Sequence, residues 1–406
     1  MRSYQTAFEI LDRVYRENAF LQEEMKSVTD KRAAKLVYGV LDKHYELSYV
    51  VDQMAERGVK NAIKPLLMEA IFSVKYLRTP KNVVLNEINE TLEKIGKSAY
   101  KSFFSAIVNR VDAGEYPLPG KNDKRYVEVK YNMPSFLVGL YKKDYPIDYD
   151  RILSARAYER VHIRKKEGVD EKEIFAADPT AERTEVGYFV KNNREISLLN
   201  FFGKATYMAY TSCLAAESIV RSVPRGARTL DCCAAPGGKS VYLAERGLDV
   251  TSTDLYPHRV DLIAAYKKRM GVELKELVFD ATVRNPEWEN AFDVVYADAP
   301  CSGLGVIGRR KDVVFNKTYE DILALSELQK KILDNVCSYV KKGGLLVYST
   351  CTVFSLENGK VIDAFLSAHE DFSLSKIPLD YENEGKIQFL PNGKTEGFFL
   401  CHMKRN

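Results

Sequence analysis

Apolar residues recur at helical spacing through the first 112 positions. Ala7, Ile10, Leu11 and Val14 share one face, and Leu36, Val37, Val40, Leu41 and Tyr45 share another. The stretches KPLLMEAIFSVKYLR and VVLNEINETLEKI follow, divided by Thr79-Pro80, which stops one helix and starts the next. SFFSAIVNRV closes the series. Short helices this close together predict a compact all-α bundle. DAGEYPLPGKNDKR then breaks the pattern with Pro, Gly and charge and reads as a domain boundary. Residues 131–205 are mixed. SFLVGLYKKDYP predicts a short helix ended by Pro146, and VHIRKK predicts a strand. From 206 onward the period changes repeatedly. ARTLDCC, LDVTSTD, LKELVFD, FDVVYADAP and GGLLVYSTC read as apolar strands, with helices such as RVDLIAAYKKRM and LSELQKKILDNVCSYV between them. That alternation predicts a parallel sheet covered by helices on both faces, with its ligand at the carboxyl ends of the strands. The expected domains are 1–125, 131–205 and 206–406.

Composition changes this picture little. A chain of 406 residues suits two or three domains, and 46% apolar with 29% charged residues is ordinary for a globular protein. A net charge of +4 permits a nucleic-acid partner without indicating one. No run of 18 apolar residues is present, and the start MRSYQTAFEILDRVYREN lacks the apolar core of a signal peptide, so a cytoplasmic protein is expected. Seven cysteines, an odd number without a C-x-x-C, and only five histidines argue against a disulfide framework or a zinc site. Reduced thiols and no metal are expected. Monomer is the default state.

Four of the five strand candidates end in Asp231, Asp254, Asp280 and Asp298, and the fifth ends in Cys351. In DCCAAPGGKS a strand runs into a Pro-Gly-Gly turn that opens a helix, bringing bare backbone and free N–H groups to one place. Asp254, about two dozen residues on, suits the hydroxyls of a ribose, although an acid at a strand end also suits a helix N-cap. Asp280 in VFDAT suits an adenine amino group, although on its own it reads as a capping residue. DAPCSGLG joins Asp298, Pro300 and Cys301, and YSTC ends at Cys351. One free cysteine is ordinary core material. Two at strand ends, one beside Asp-Pro, suit methylation at C5 of cytosine. A thiolate adding at C6 makes C5 nucleophilic, a carboxyl group meets the charge at N3, and a base then removes the C5 proton. The cations of RILSARAYERVHIRKK (Arg151, Arg156, Arg160, Arg164, Lys165 and Lys166) form either a solvated face or a seat for a phosphate backbone.

DCCAAPGGKS, DAPCSGLG and YSTCTVFSLEN resemble the signature motifs of the RsmB/Nop/Sun family of RNA 5-methylcytosine methyltransferases, over roughly residues 131–406. The helical part is similar to NusB-like RNA-binding domains, which is the layout of the RsmB branch. The resemblance implies a Rossmann-like methyltransferase domain with a mixed, mostly parallel seven-stranded sheet. It would be preceded by a small α+β RNA-binding region and the helical domain. It implies S-adenosyl-L-methionine as cofactor and small-subunit ribosomal RNA as partner. It implies Cys351 as nucleophile, Cys301 as an aid to product release and Asp298 as a contact to the target base. Cofactor contacts are implied for Cys233, Ala234, Ala235, Pro236, Gly237, Gly238, Lys239, Asp254, Arg259, Asp280 and Asp298. The chain departs from the family at TYMAYTSC, at Cys232 and in VHIRKK, which lacks the Arg-x-Asn ending. The target base must leave any stack to reach the strand ends, and Arg309, Arg310 and Lys311 of GRRKDVVF are expected beside the RNA. Three alternatives stand. They are the same chemistry on transfer RNA, a catalytically silent RNA-binding assembly factor, and an amino-group methyltransferase, which would carry Asn/Asp-Pro-Pro-aromatic in place of DAPCSG.

Overall fold

The computed structural model describes residues 3–17, 19–55, 62–155, 159–315 and 317–406. The chain forms two compact units, 1–153 with 310–317, and 154–309 with 318–406.

The first unit is helical. Its helices include Ser3–Arg16, Lys31–Asp42, His44–Met54, Lys64–Lys75, Lys81–Lys94 and Lys101–Asp112. Each start has a local cause. Asp30 caps Lys31–Asp42 by accepting from the N–H groups of Arg32 and Ala33, and Pro65 sits in the first turn of Lys64–Lys75. Every residue from Pro65 to Val74 is buried, so this helix is the axis around which the others pack. The loop expected as a boundary lies inside this unit. Asp123 accepts from Tyr49 Oη at 2.7 Å, and Asn132 Nδ2 donates to Leu41 O at 2.8 Å. Pro- and Gly-rich composition marked a turn there, and those long-range hydrogen bonds keep the chain on the bundle beyond it.

The second unit holds two sheets. The smaller comprises β1 (Val161–Lys165), β2 (Glu182–Thr184), β3 (Gly187–Val190) and β4 (Ala205–Tyr207), in the order β2-β3-β1-β4 and antiparallel throughout. Arg156 lies outside the described residues. Arg164 does not face solvent. It is buried in an ion pair with Glu245, while Arg160 bonds to Asp178 and to the Thr180 carbonyl, so neither is free for a phosphate.

The larger sheet comprises β5 (Arg228–Asp231), β6 (Asp249–Asp254), β7 (Lys275–Val278), β8 (Phe292–Asp298), β9 (Val340–Thr350), β10 (Phe372–Leu374), β11 (Lys386–Phe389) and β12 (Phe398–Arg405). Its order is β10-β12-β9-β8-β5-β6-β7, with β11 paired to β12. β7, β6, β5, β8 and β9 are parallel, and the pairings made by β12 are antiparallel. The sheet is mixed as expected, with an eighth strand because β11 folds back as a hairpin on β12. Alternation divides the side chains. Val294, Tyr296 and Val347 pack under one layer, and Val295, Ala297, Leu346 and Tyr348 under the other. Burial on both faces explains why these strands read as unbroken apolar runs. Asp231, Asp254 and Asp298 close their strands, Cys351 follows β9 directly, and Asp280 lies two residues past β7.

Candidate active site

The parallel strands deliver their last residues to one edge. β8 ends in Asp298 and the loop after it carries Cys301. Neighbouring β9 leads into Cys351. The two sulfur atoms are 3.1 Å apart, and the Cys351 N–H donates to Cys301 Sγ at 3.3 Å. Both cysteines are partly exposed and all seven are free. The hydrogen bond to Cys351, together with burial, pushes the Cys301 thiol well above the ordinary range, so it keeps its proton at neutral pH.

Asp298 is held at both oxygens. Lys239 Nζ lies 2.5 Å from Oδ2, and Ser349 Oγ donates to Oδ1 at 2.5 Å. Ser349 Oγ has one proton, already given to Asp298, so the Tyr296 hydroxyl 2.7 Å behind it is the donor of that contact. Burial works against the Lys239 charge, but the Asp298 carboxylate overcomes it and raises the ammonium above its ordinary range. Lys239 was expected at the cofactor. Its ammonium pairs with Asp298.

A buried clamp holds the Cys301 loop. Glu357 accepts from Ser302 N–H at 2.7 Å, from Ser302 Oγ at 2.6 Å and from Gln329 Nε2 at 3.2 Å. Gln329 Nε2 also reaches the Pro300 carbonyl at 2.9 Å. Asn358 does the same for Cys351, accepting from Thr350 Oγ1 and donating to the Thr352 carbonyl. These residues lie in SLEN of the third motif, which was quoted but given no role. Glu357→Ala strands the Ser302 N–H and loosens the loop. It is expected to lower kcat about 10- to 100-fold while cofactor affinity stays unchanged, with Glu357→Gln recovering most of the loss. Steady-state methyl-transfer kinetics check this.

The cofactor loop leaves β5. Ala234 turns its side chain into one apolar layer, and Cys233 is half-buried against the other. Ala235-Pro236 is cis, and Gly237 has φ +99°, with Ile263 3.2 Å from where a Cβ would sit. Gly238 then opens the helix Gly238–Glu245. Asp254 is not an N-cap, since Tyr256 holds that place before Pro257–Met270. It accepts instead from the Ala235 N–H at 3.1 Å and pairs with Arg259 at 3.1 Å, while Arg259 Nη2 donates to the Ala235 carbonyl. Asp280 caps its own turn, accepting from Thr282 N–H and Oγ1, so the capping reading holds for it. Sequence reasoning named Asp231 as a strand end but gave it no role. Oδ2 accepts from Ser240, but buried Oδ1 has no hydrogen-bond partner, and burial lifts the carboxyl to about 7.

This donor set fits S-adenosylmethionine. The unpaired oxygen of Asp231 suits an ammonium group, Asp254 suits ribose hydroxyls, and the N-terminus of Gly238–Glu245 suits a carboxylate. The cysteine pair and Asp298 stand at the same strand ends. Fold and site together define a methyltransferase dependent on S-adenosylmethionine.

Comparison with known proteins carries this further. Residues 221–404 match the family described as "16S rRNA methyltransferase RsmB/F" and residues 1–113 match the NusB family. The chain is 31% identical to "Probable ribosomal RNA small subunit methyltransferase B" of Bacillus subtilis, over 91% of this chain and 89% of that protein. It is 28% identical to "Ribosomal RNA small subunit methyltransferase B" of Photorhabdus laumondii, over 98% and 96%. Among solved structures, PH0851 superposes with a TM-score of 0.82 at 25% identity over 99% of both chains. NSun6 of Pyrococcus horikoshii shares the fold, with a TM-score of 0.57 at 17% identity, over 67% of this chain and 98% of that one. The chain belongs to the RsmB family of RNA methyltransferases.

Proposed function

We propose that the protein methylates C5 of a cytosine in small-subunit ribosomal RNA. The observation that supports this reading most is the pair of thiols 3.1 Å apart beside the Asp298–Lys239 pair. Cys351 adds to C6 of the flipped base, and the C5–C6 electron pair becomes available at C5. Bound S-adenosylmethionine supplies an electrophilic methyl group there. Asp298 contacts the base at N3, and the Lys239 ammonium paired with it meets the negative charge that develops there. A base then takes the C5 proton, the C5–C6 double bond re-forms, and the electron pair of the breaking S–C6 bond returns to Cys351, with Cys301 assisting release. Asp231, Asp254 and the backbone of residues 233–238 would hold the cofactor.

The test is transfer of labelled methyl from S-adenosylmethionine to unmodified small-subunit ribosomal RNA by the full-length protein. Label in 5-methylcytosine is the expected result. Label in transfer RNA alone redirects the substrate, and RNA binding without transfer favours an assembly factor.

Arg309, Arg310 and Lys311 support RNA contact less than their sequence suggested. Arg309 pairs with Glu396 at 2.9 Å, Arg310 lies over Phe20, and Lys311 pairs with Asp42. Among the described residues, no helix is long and apolar enough to span a membrane. A cytoplasmic monomer accords with an RNA substrate, and light scattering on the purified protein tests the monomer.

A further inference from the structure

The chemistry uses the carboxyl edge of the large sheet. At the opposite edge, where β5, β8 and β9 begin, lies a cleft of about 560 Å³ between the turn 222–227 and the bulged first residues of β9, 341–345. We infer that this cleft is a second RNA contact, a seat for the phosphate backbone remote from the target base. The inference rests on RNA being the substrate.

Charge is the first argument. Arg225, Lys341, Lys342 and Lys404 line the cleft against one carboxylate, Asp293. Asp293 is already satisfied, pairing with Lys341 at 2.7 Å and accepting from the Arg228 N–H at 2.8 Å. Among the described residues, Arg225, Lys342 and Lys404 have no acidic partner, whereas the arginines and lysines around the active site do. Uncompensated cations facing one another repel, and a polyanion relieves that repulsion while releasing its own counterions.

Shape is the second. The cations are set by the backbone rather than scattered. Arg225 lies across Gly247, where a Cβ would come within 2.9 Å of its Nε. Lys404 stands on β12 in register with Leu345 of β9. Gly344 passes so close to the Lys341 and Asp293 carbonyls, 2.8 and 2.9 Å from a built Cβ, that only glycine fits. Gly226 and Gly343 turn the two rims at φ +81° and +76°, with open space where their side chains would be. Bare rims and fixed cations suit a strand of phosphodiesters, which carries no side-group demand. The seven residues of β8 separate this cleft from Asp298 by about 20 Å, so a folded ribosomal RNA reaches both while a single nucleotide does not.

The experiment compares the full-length protein with its Arg225→Ala/Lys342→Ala/Lys404→Ala variant, all three positions being exposed. RNA affinity is measured by filter binding across a salt series, alongside methyl transfer on the same small-subunit ribosomal RNA. The variant is expected to bind RNA about tenfold more weakly, with a log–log salt slope shallower by about 2–3. Its kcat at saturating RNA and its cofactor affinity stay at the wild-type level, and Lys342→Arg/Lys404→Arg behaves as wild type. An active wild type whose RNA affinity and salt slope are matched by the variant overturns the inference while leaving the proposed function standing. A mononucleotide that binds the wild type and is lost in the variant, with RNA affinity unchanged, overturns it in favour of a small-anion pocket. A wild type that neither binds nor methylates RNA removes both.

Discussion

Cys351→Ala is expected to abolish methyl transfer, with a fall of about 10⁴-fold or more, because Cys301, the other thiol at the strand ends, loses its hydrogen bond to Cys351 but is still kept protonated by burial. Cys301→Ala is expected to behave differently. It retains the nucleophile and loses the group that assists release, so the protein accumulates covalently on its RNA. Denaturing gel electrophoresis with labelled RNA reads both outcomes at once. A slow-migrating, protease-sensitive species appears with Cys301→Ala, is absent with Cys351→Ala, and is absent when both cysteines are replaced. The geometry makes the assignment sensitive, since the sulfurs are only 3.1 Å apart and either is within reach of the same base. The hydrogen bond to Cys351 and burial keep the proton on Cys301. A covalent species formed by Cys351→Ala instead would reverse the two roles.

The second large effect concerns the helical unit. Glu69 sits in the middle of Lys64–Lys75, fully buried, with neither carboxylate oxygen hydrogen-bonded among the described residues. Burial pushes its carboxyl well above the model-peptide 4.5. The sign follows directly. The folded state keeps a proton that the unfolded chain releases above about 4.5. Stability is therefore fully present below that pH and is lost as pH rises toward the folded value. Glu69→Met has nearly the same shape and no polar atoms. It is expected to stabilise the unit by about 1–3 kcal/mol at neutral pH, and by less at pH 4. Glu69→Gln keeps buried polar atoms, so it gains less but flattens the pH dependence. Thermal unfolding at pH 4 and pH 8 tests both. A Glu69→Met protein that is less stable at pH 8 than the parent would mean that the carboxylate is paired in solution.

The active-site residues were legible to different degrees. Cys301, Cys351 and Asp298 stood out because covalent chemistry at cytosine requires particular residue types, and parallel strands bring their carboxyl ends to one edge. Asp254 also fell where strand order puts it. Asp280, implied as a cofactor contact, also caps its own turn through one oxygen. The place of Lys239 in the glycine turn suggested the cofactor, but the partner that claims its ammonium is Asp298, 59 residues on. Glu357 and Asn358 were visible as letters of the third motif, yet their work is done on loops reached only after β8 and β9 pair. Asp231 looked like one more strand end, and only full burial with an unpaired oxygen distinguishes it. The segment 310–317 was read as part of the catalytic region. It belongs to the helical unit, where Phe315 packs against Tyr15, His44 and Tyr45.

The sequence by itself determined the kind of elements and their order, because helix and strand periods are local and binary burial repeats along each element. It also determined the chemistry, because thiol, carboxylate and glycine-turn positions recur in a pattern that few reactions need. Tertiary structure alone decided which charges are paired. Arg164 disappears into a buried ion pair and Lys239 turns to Asp298, while Arg225, Lys342 and Lys404, spread over 180 positions, meet around one cleft with no acid to answer them. Pairing depends on distances between residues far apart in the chain, and those distances exist only once the sheet has set its strand order.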